Sequence, residues 1–147
     1  MIETVVTVSM TVGSVLLFCY WFRYTCHLIL SAVTSQDYAT NMAQVHQLCF
    51  QEAQLRLRNG ATELDRLKGM LDRDYATLAR LTNNAEDAQA GMERRMLAIH
   101  YNLMSLSYRV SRTISASAAR RSLEEMSMVV AHFANSIGEG VAVSAAA

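Results

Sequence analysis

Among its 147 residues the chain has no proline and six glycines. Average usage would give about seven prolines, so their absence excludes a fold built on many rigid turns and favours long helices. Charge is scarce as well: 18% of residues are charged against 52% hydrophobic, and 13 basic side chains balance 13 acidic ones. With a mean hydropathy of +0.13, the chain falls outside the disordered class. The lack of net positive charge removes the bulk field that draws nucleic acid, and no nucleic-acid partner is expected. Cysteine is limited to Cys19, Cys26 and Cys49, an odd and widely spaced set that reads as unpaired thiols.

The chemical motifs are missing too. The chain carries no Gly-x-Ser-x-Gly elbow, phosphate-binding glycine loop, dinucleotide fingerprint, His-Glu-x-x-His or Cys-x-x-Cys-His. A carboxylate-bridged dimetal bundle needs Glu three residues before a histidine. Tyr24, Ala43, Leu97 and Val129 stand at those positions before His27, His46, His100 and His132. No catalytic residue, metal ligand or cofactor is therefore assigned, and the chain reads as non-enzymatic. One ligand alternative stays open, a haem or quinone held between helices near His100 and His132.

What is present is a long uncharged run. Glu3 is followed by 19 uncharged positions, Thr4 to Phe22, and Arg23 is the only formal charge before Asp37. Such a run spans roughly 28 Å as a helix, close to the ~30 Å of a bilayer core. Tyr20, Trp21, Arg23 and Tyr24 at its end have the aromatic and cationic character of a membrane boundary. A signal peptide would carry positive charge before the apolar run, whereas Glu3 stands there. The other alternative is a buried helix of a soluble core, which would account for the dilution by threonine and serine. Arg23, Arg56 and Arg58 follow the span, so the positive-inside rule places the N-terminus outside and the helical domain in the cytoplasm. A register shifted to residues 12–33 would put Arg23 near mid-membrane, at about 2.5 to 3.5 kcal/mol. The favoured register leaves Leu28, Ile29, Leu30 and Val33 just beyond the boundary, covered either by a tilted membrane region or by a partner.

Within the span Thr4, Thr7, Thr11 and Ser14 share one helical face, and Ser9 with Gly13 makes a small-xxx-small pair beside it. Small and hydroxylated residues permit close approach between helices in lipid, so a neighbouring helix is expected; the alternative is that the hydroxyls bond their own helix carbonyls.

From Arg23 to Arg58 nothing in the sequence stops a helix, which suggests one unbroken element from the membrane to Asn59-Gly60. Tyr38, Met42, Val45, Leu48, Cys49 and Leu55 would be its stripe. Thr62-Glu63-Leu64-Asp65 resembles a capping box, opening a helix with Leu64, Leu67, Leu71, Tyr75, Leu78 and Leu81 inward and a weakening glycine at Gly69. Asn83 to Gly91 reads as the longest loop. The next helix has two stripes, Met92, Met96, Ile99, Leu103, Leu106 and Val110 in strict four-three alternation, and Leu97, Tyr101, Met104 and Tyr108 beside it. The last helix, capped by Ser115 or Ser117, turns Ala119, Leu123, Met126, Val130, Phe133 and Ile137 inward and ends at Gly138-Glu139-Gly140.

These segments predict an all-α chain: a single N-terminal transmembrane helix continuing into an antiparallel three- or four-helix bundle. The expected divisions are residues 1–36 for the anchor, 37–140 for the bundle and 141–147 for a small-residue tail. The expected bundle seam joins Met96, Ile99, Leu103 and Leu106 to Leu123, Met126, Val130 and Phe133. All basic residues except Lys68 are arginine, and Arg94-Arg95 and Arg120-Arg121 are candidate docking points, with Glu93, Glu124 and Glu125 placed to neutralise them. The functional expectation is an accessory, scaffolding or assembly subunit of a membrane complex that binds through its anchor face and an apolar seam, a homo-oligomer included.

Overall fold

A computed structural model of the chain describes residues 1–31, 37–82 and 88–146, with side chains for all of these except 88–90. The described residues form helices without strands: α1 (Ile2–Ser31), α2 (Tyr38–His46), α3 (Phe50–Arg58), α4 (Leu64–Thr82), α5 (Ala88–Ile114) and α6 (Ala116–Ala146). They divide into two compact units, Met1–Val33 and Thr34–Ala147.

The first unit is α1, a helix of 30 residues that is long and apolar enough to cross a membrane. None of its most apolar window is buried. Its aromatic residues gather near the expected boundary, where Trp21 meets Tyr24 edge-on at 5.9 Å between ring centroids and Tyr20 lies 6.4 Å from Tyr24. Val33, one of the apolar residues expected beyond the boundary, lies outside the described residues.

In the second unit α6 is the central helix, and α2, α3, α4 and α5 all pack against it. Leu123, Met126, Val129, Val130, Phe133 and Ala134 are buried, as are the small polar Ser122 and Ser127. Burial at so many neighbouring positions covers far more than the single stripe of an ordinary surface helix. Short side chains make this feasible, because Ala119, Ser122, Ser127, Ala134 and Gly138 leave room for neighbouring backbones. Gly138 is the tightest case: a Cβ there would lie 2.6 Å from Cβ of Tyr38 in α2.

Several expected boundaries move. The unbroken helix from the membrane to Asn59 is not formed, because α2 ends at His46 and Gln47 takes a left-handed conformation (φ 52°) whose N–H bonds the Ala43 carbonyl. Val45 and Leu55 are exposed, while Ala39, Met42, Ala43, Phe50, Ala53 and Leu57 are buried. Gly60 does close α3, in the left-handed region at φ 76°. Gly91 lies inside α5, which begins at Ala88, so residues 88–91 of the expected loop are helical; residues 83–87 lie outside the described residues. Gly138 and Gly140 do not end the last helix, which runs on to Ala146 and takes in residues 141–146 of the expected tail. Gly138 serves close packing rather than termination.

The two longest elements of this unit, α5 and α6, are joined through Ser115 alone. Cross-pairs Glu93 with His132, His100 with Glu125 and Ser107 with Ser122 establish that they run antiparallel.

Two glycines on these helices should respond oppositely to alanine. Gly138→Ala forces Tyr38 and α2 away and is expected to cost about 1 to 3 kcal/mol. A methyl group at Gly69 would meet nothing within 4 Å, and the backbone there has no positive φ, so Gly69→Ala should add about 0.5 to 1 kcal/mol. Thermal unfolding of the full chain in detergent, followed by circular dichroism, checks both signs.

Candidate interaction surface

The α5 helix carries the largest departure from the expected packing. Leu97, Tyr101, Met104 and Tyr108 form its buried face, joined by His100. The α6 half of the expected seam, Leu123, Met126, Val130 and Phe133, is buried, but its α5 half is not. Met92 is 71% exposed, Ile99 52%, Leu103 49%, Leu106 61% and Val110 55%, with Met96 half-buried between them. Tyrosine decides which stripe goes inward. Tyr101 and Tyr108 donate to Asp72 and Asp65 on α4, at 2.9 and 2.8 Å, which turns their sides of α5 toward the rest of the unit. The ring of Tyr75 stacks on Tyr101 at 3.9 Å and meets Phe133 of α6 edge-on at 5.9 Å, tying α4, α5 and α6 together.

The result is an uncovered apolar line from Met92 to Val110, spaced four, three, four, three, four, and roughly 27 Å long at the helical rise. Its four-three spacing is that of an a/d repeat, and the line is narrower than the broad face by which a helix lies on its own core.

The polar residues singled out in the sequence are partly spent inside the unit. Glu93 meets His132 Nε2 at 2.8 Å, and Glu125 is buried with its Oε2 3.5 Å from His100 Nε2. Arg94 reaches the Thr82 carbonyl at 3.4 Å, and Arg120 donates to the Ala61 carbonyl at 3.1 Å. Arg95 and Arg121 are exposed. His100 and His132 each face a glutamate, and their partners on the opposite helix set them about two turns, or ~10 Å, apart along the hairpin. The two rings thus do not form one axial pair. An open depression of about 310 Å³ lies beside Tyr75, Arg94, Arg95 and Phe133.

On α1 the hydroxyls of Thr4, Thr7 and Thr11 donate to the carbonyls of Met1, Glu3 and Thr7 at 2.7 to 2.8 Å. These donors are satisfied within their own helix. Close approach along Ser9, Gly13 and Ser14 depends on side-chain size and does not need them.

Two functions of buried polar groups have no signal in the sequence. Asp74, at the middle of α4, accepts from the Cys49 N–H at 2.7 Å and also bonds the Phe50 N–H, so it caps α3 from another helix. Burial pushes its carboxyl above the usual range, opposed by those two N–H groups and by Arg73. Tyr108 is pushed up to about 12, first by burial and then by its hydrogen bond to Asp65 and that residue's charge, with Arg112 acting in the opposite sense.

Asp74→Ala should cost about 1 to 2 kcal/mol, read from denaturant midpoints, because it strips the cap from α3. Tyr108 gives a pH dependence whose sign is fixed by linkage. Unfolded tyrosine releases its proton near 10 and the folded one near 12, so the folded state binds more protons in that window and stability falls as pH rises through it. Tyr108→Phe should show a flatter decline between these values in chemical denaturation. No family model matches this chain, and no curated protein or solved structure matches it either.

Proposed function

We propose that this chain is a non-enzymatic, single-span membrane protein that serves as an accessory, scaffolding or assembly subunit of a membrane complex. In this reading α1 crosses the bilayer with its N-terminus outside, and the helices after it form a cytoplasmic antiparallel bundle. The observation that carries it is the uncovered heptad line on α5, because a contiguous exposed apolar stripe on a folded unit is a docking surface by default. The exposed apolar α1 is in keeping with it, with the face of Thr4, Thr7, Ser9, Thr11, Gly13 and Ser14 as the contact to a membrane neighbour. The mechanism is positioning. One helix selects a neighbour in lipid, and the α5 line engages a second helix outside it.

Mild-detergent extraction of the natively expressed chain, then size-exclusion chromatography with mass spectrometry and an absorption spectrum, tests this reading. Co-elution with other membrane proteins or a homo-oligomer is expected. Leu103→Asn with Leu106→Asn should weaken the association at least about tenfold, since central apolar contacts carry most of an interface. Leucine at Thr7, Thr11 and Ser14 should weaken it independently. A monomer released without detergent would end both the anchor and the docking role, and a pigment band at the peak would favour the haem or quinone alternative. Protease protection in sealed vesicles checks the orientation, with digestion of residues 34–147 expected only from the cytoplasmic face.

A further inference from the structure

Resting on the docking role just proposed, we infer that the α5 line receives a helix of a different protein, one whose apolar stripe is bordered by acidic side chains. The argument is the charge along its open edge. Arg95, Asn102 and Arg109 occupy the same heptad position beside Ile99 and Leu106, and all are exposed. Glu93, the sole acidic residue in α5, is turned to His132. Arg112, further along the helix, already meets Asp65 at 2.8 Å. Among the described residues of α5, the open edge of the line therefore presents two guanidinium groups, about 21 Å apart along the helix, and no carboxylate.

A second copy of this chain fits that edge poorly. In antiparallel self-pairing, equivalent flanking positions face one another, which sets Arg95 of one copy against Arg109 of the other. In parallel self-pairing each open edge faces the opposite flank of its partner, the positions of Glu93, His100 and Ser107. That flank already packs on α6, where Glu93 meets His132, His100 faces Glu125 and Ser107 shares a hydrogen bond with Ser122. Neither arrangement brings the arginines an acidic residue that lacks a partner within its own chain. A membrane surface fits less well than a helix, since interfacial helices bury a broad face with aromatic anchors, and the line from Met92 to Val110 is narrow and has none. Carboxylates on a partner helix would match the fork of each arginine and fix the partner's register.

The probe is a synthetic heptad peptide with Leu and Ile at the seam and Glu at both flanks, compared with the same seam flanked by Lys. Binding to the full chain in mild detergent is read by fluorescence anisotropy at concentrations where the peptides are monomeric. The Glu-flanked peptide is expected to bind about tenfold more tightly or better. Arg95→Glu with Arg109→Glu should reverse the preference, and Leu103→Asn with Leu106→Asn should remove both. All these positions are exposed, and unchanged helical circular dichroism establishes that the variants fold. Equal affinity for the two peptides, or no binding of either, overturns the inference. So does a dimer of the chain that the Leu103 and Leu106 changes dissolve, or capture of phosphatidylserine vesicles lost with the same changes. If the native association is lost on changing Leu103 and Leu106 but is indifferent to the arginine reversal, the docking role stands and the acidic partner falls.

Discussion

The packing of four helices around α6 is the constraint from which the second unit is built. A helix covered by α2, α3, α4 and α5 must be apolar over most of its circumference, and small wherever a neighbour's backbone comes near. Both conditions are visible in the alternation of Leu123, Met126, Val129 and Val130 with Ala119, Ser122, Ser127, Ala134 and Gly138. The serines among them are kept from being buried without partners: Ser122 donates to the Ala118 carbonyl and shares a hydroxyl–hydroxyl hydrogen bond with Ser107, and Ser127 donates to the Glu124 carbonyl. Their bonds satisfy the requirement that buried polar groups be paired.

Around that axis the remaining polar contacts settle which face each surrounding helix turns inward. Tyr101 and Tyr108 reach α4, Asp74 reaches the start of α3, and Asn135 of α6 accepts from the first N–H of α2 at 2.9 Å. Each joins elements distant in the chain, and each orients its helix more specifically than apolar contact alone, since hydrogen bonds are directional and burial is not. This has a functional consequence on α5. Once the tyrosine face is committed to the interior, the more regular aliphatic line must remain outside, where it can serve a partner.

The two faces proposed for interaction differ in their physics. On α1 the threonine hydroxyls already bond their own carbonyls, so association in lipid would draw on close packing rather than on new hydrogen bonds. On α5, Ile99, Leu103 and Leu106 are exposed to water, and covering them removes apolar surface from it. The arginines beside them contribute selectivity and orientation more than affinity.

The helical class, the long apolar first helix, the stop at Asn59-Gly60 and the inward face of α6 were legible in the amino-acid sequence, because each depends on local composition or on periodicity within one element. The break at Gln47 was not, since a non-glycine residue in the left-handed region has no local signature and its neighbour α3 is capped by Asp74 from another helix. Nor was the role of Gly138, which reads as a stop but is held within α6 by the approach of Tyr38. On α5 two adjacent stripes were both apolar, and periodicity ranks them by regularity, which favoured the wrong one. Sequence by itself determined that α5 has more apolar surface than one neighbour can cover. Only the tertiary structure decided which part is left over, because the aspartates that select the tyrosine face lie on α4 and come within reach only when the helices pack.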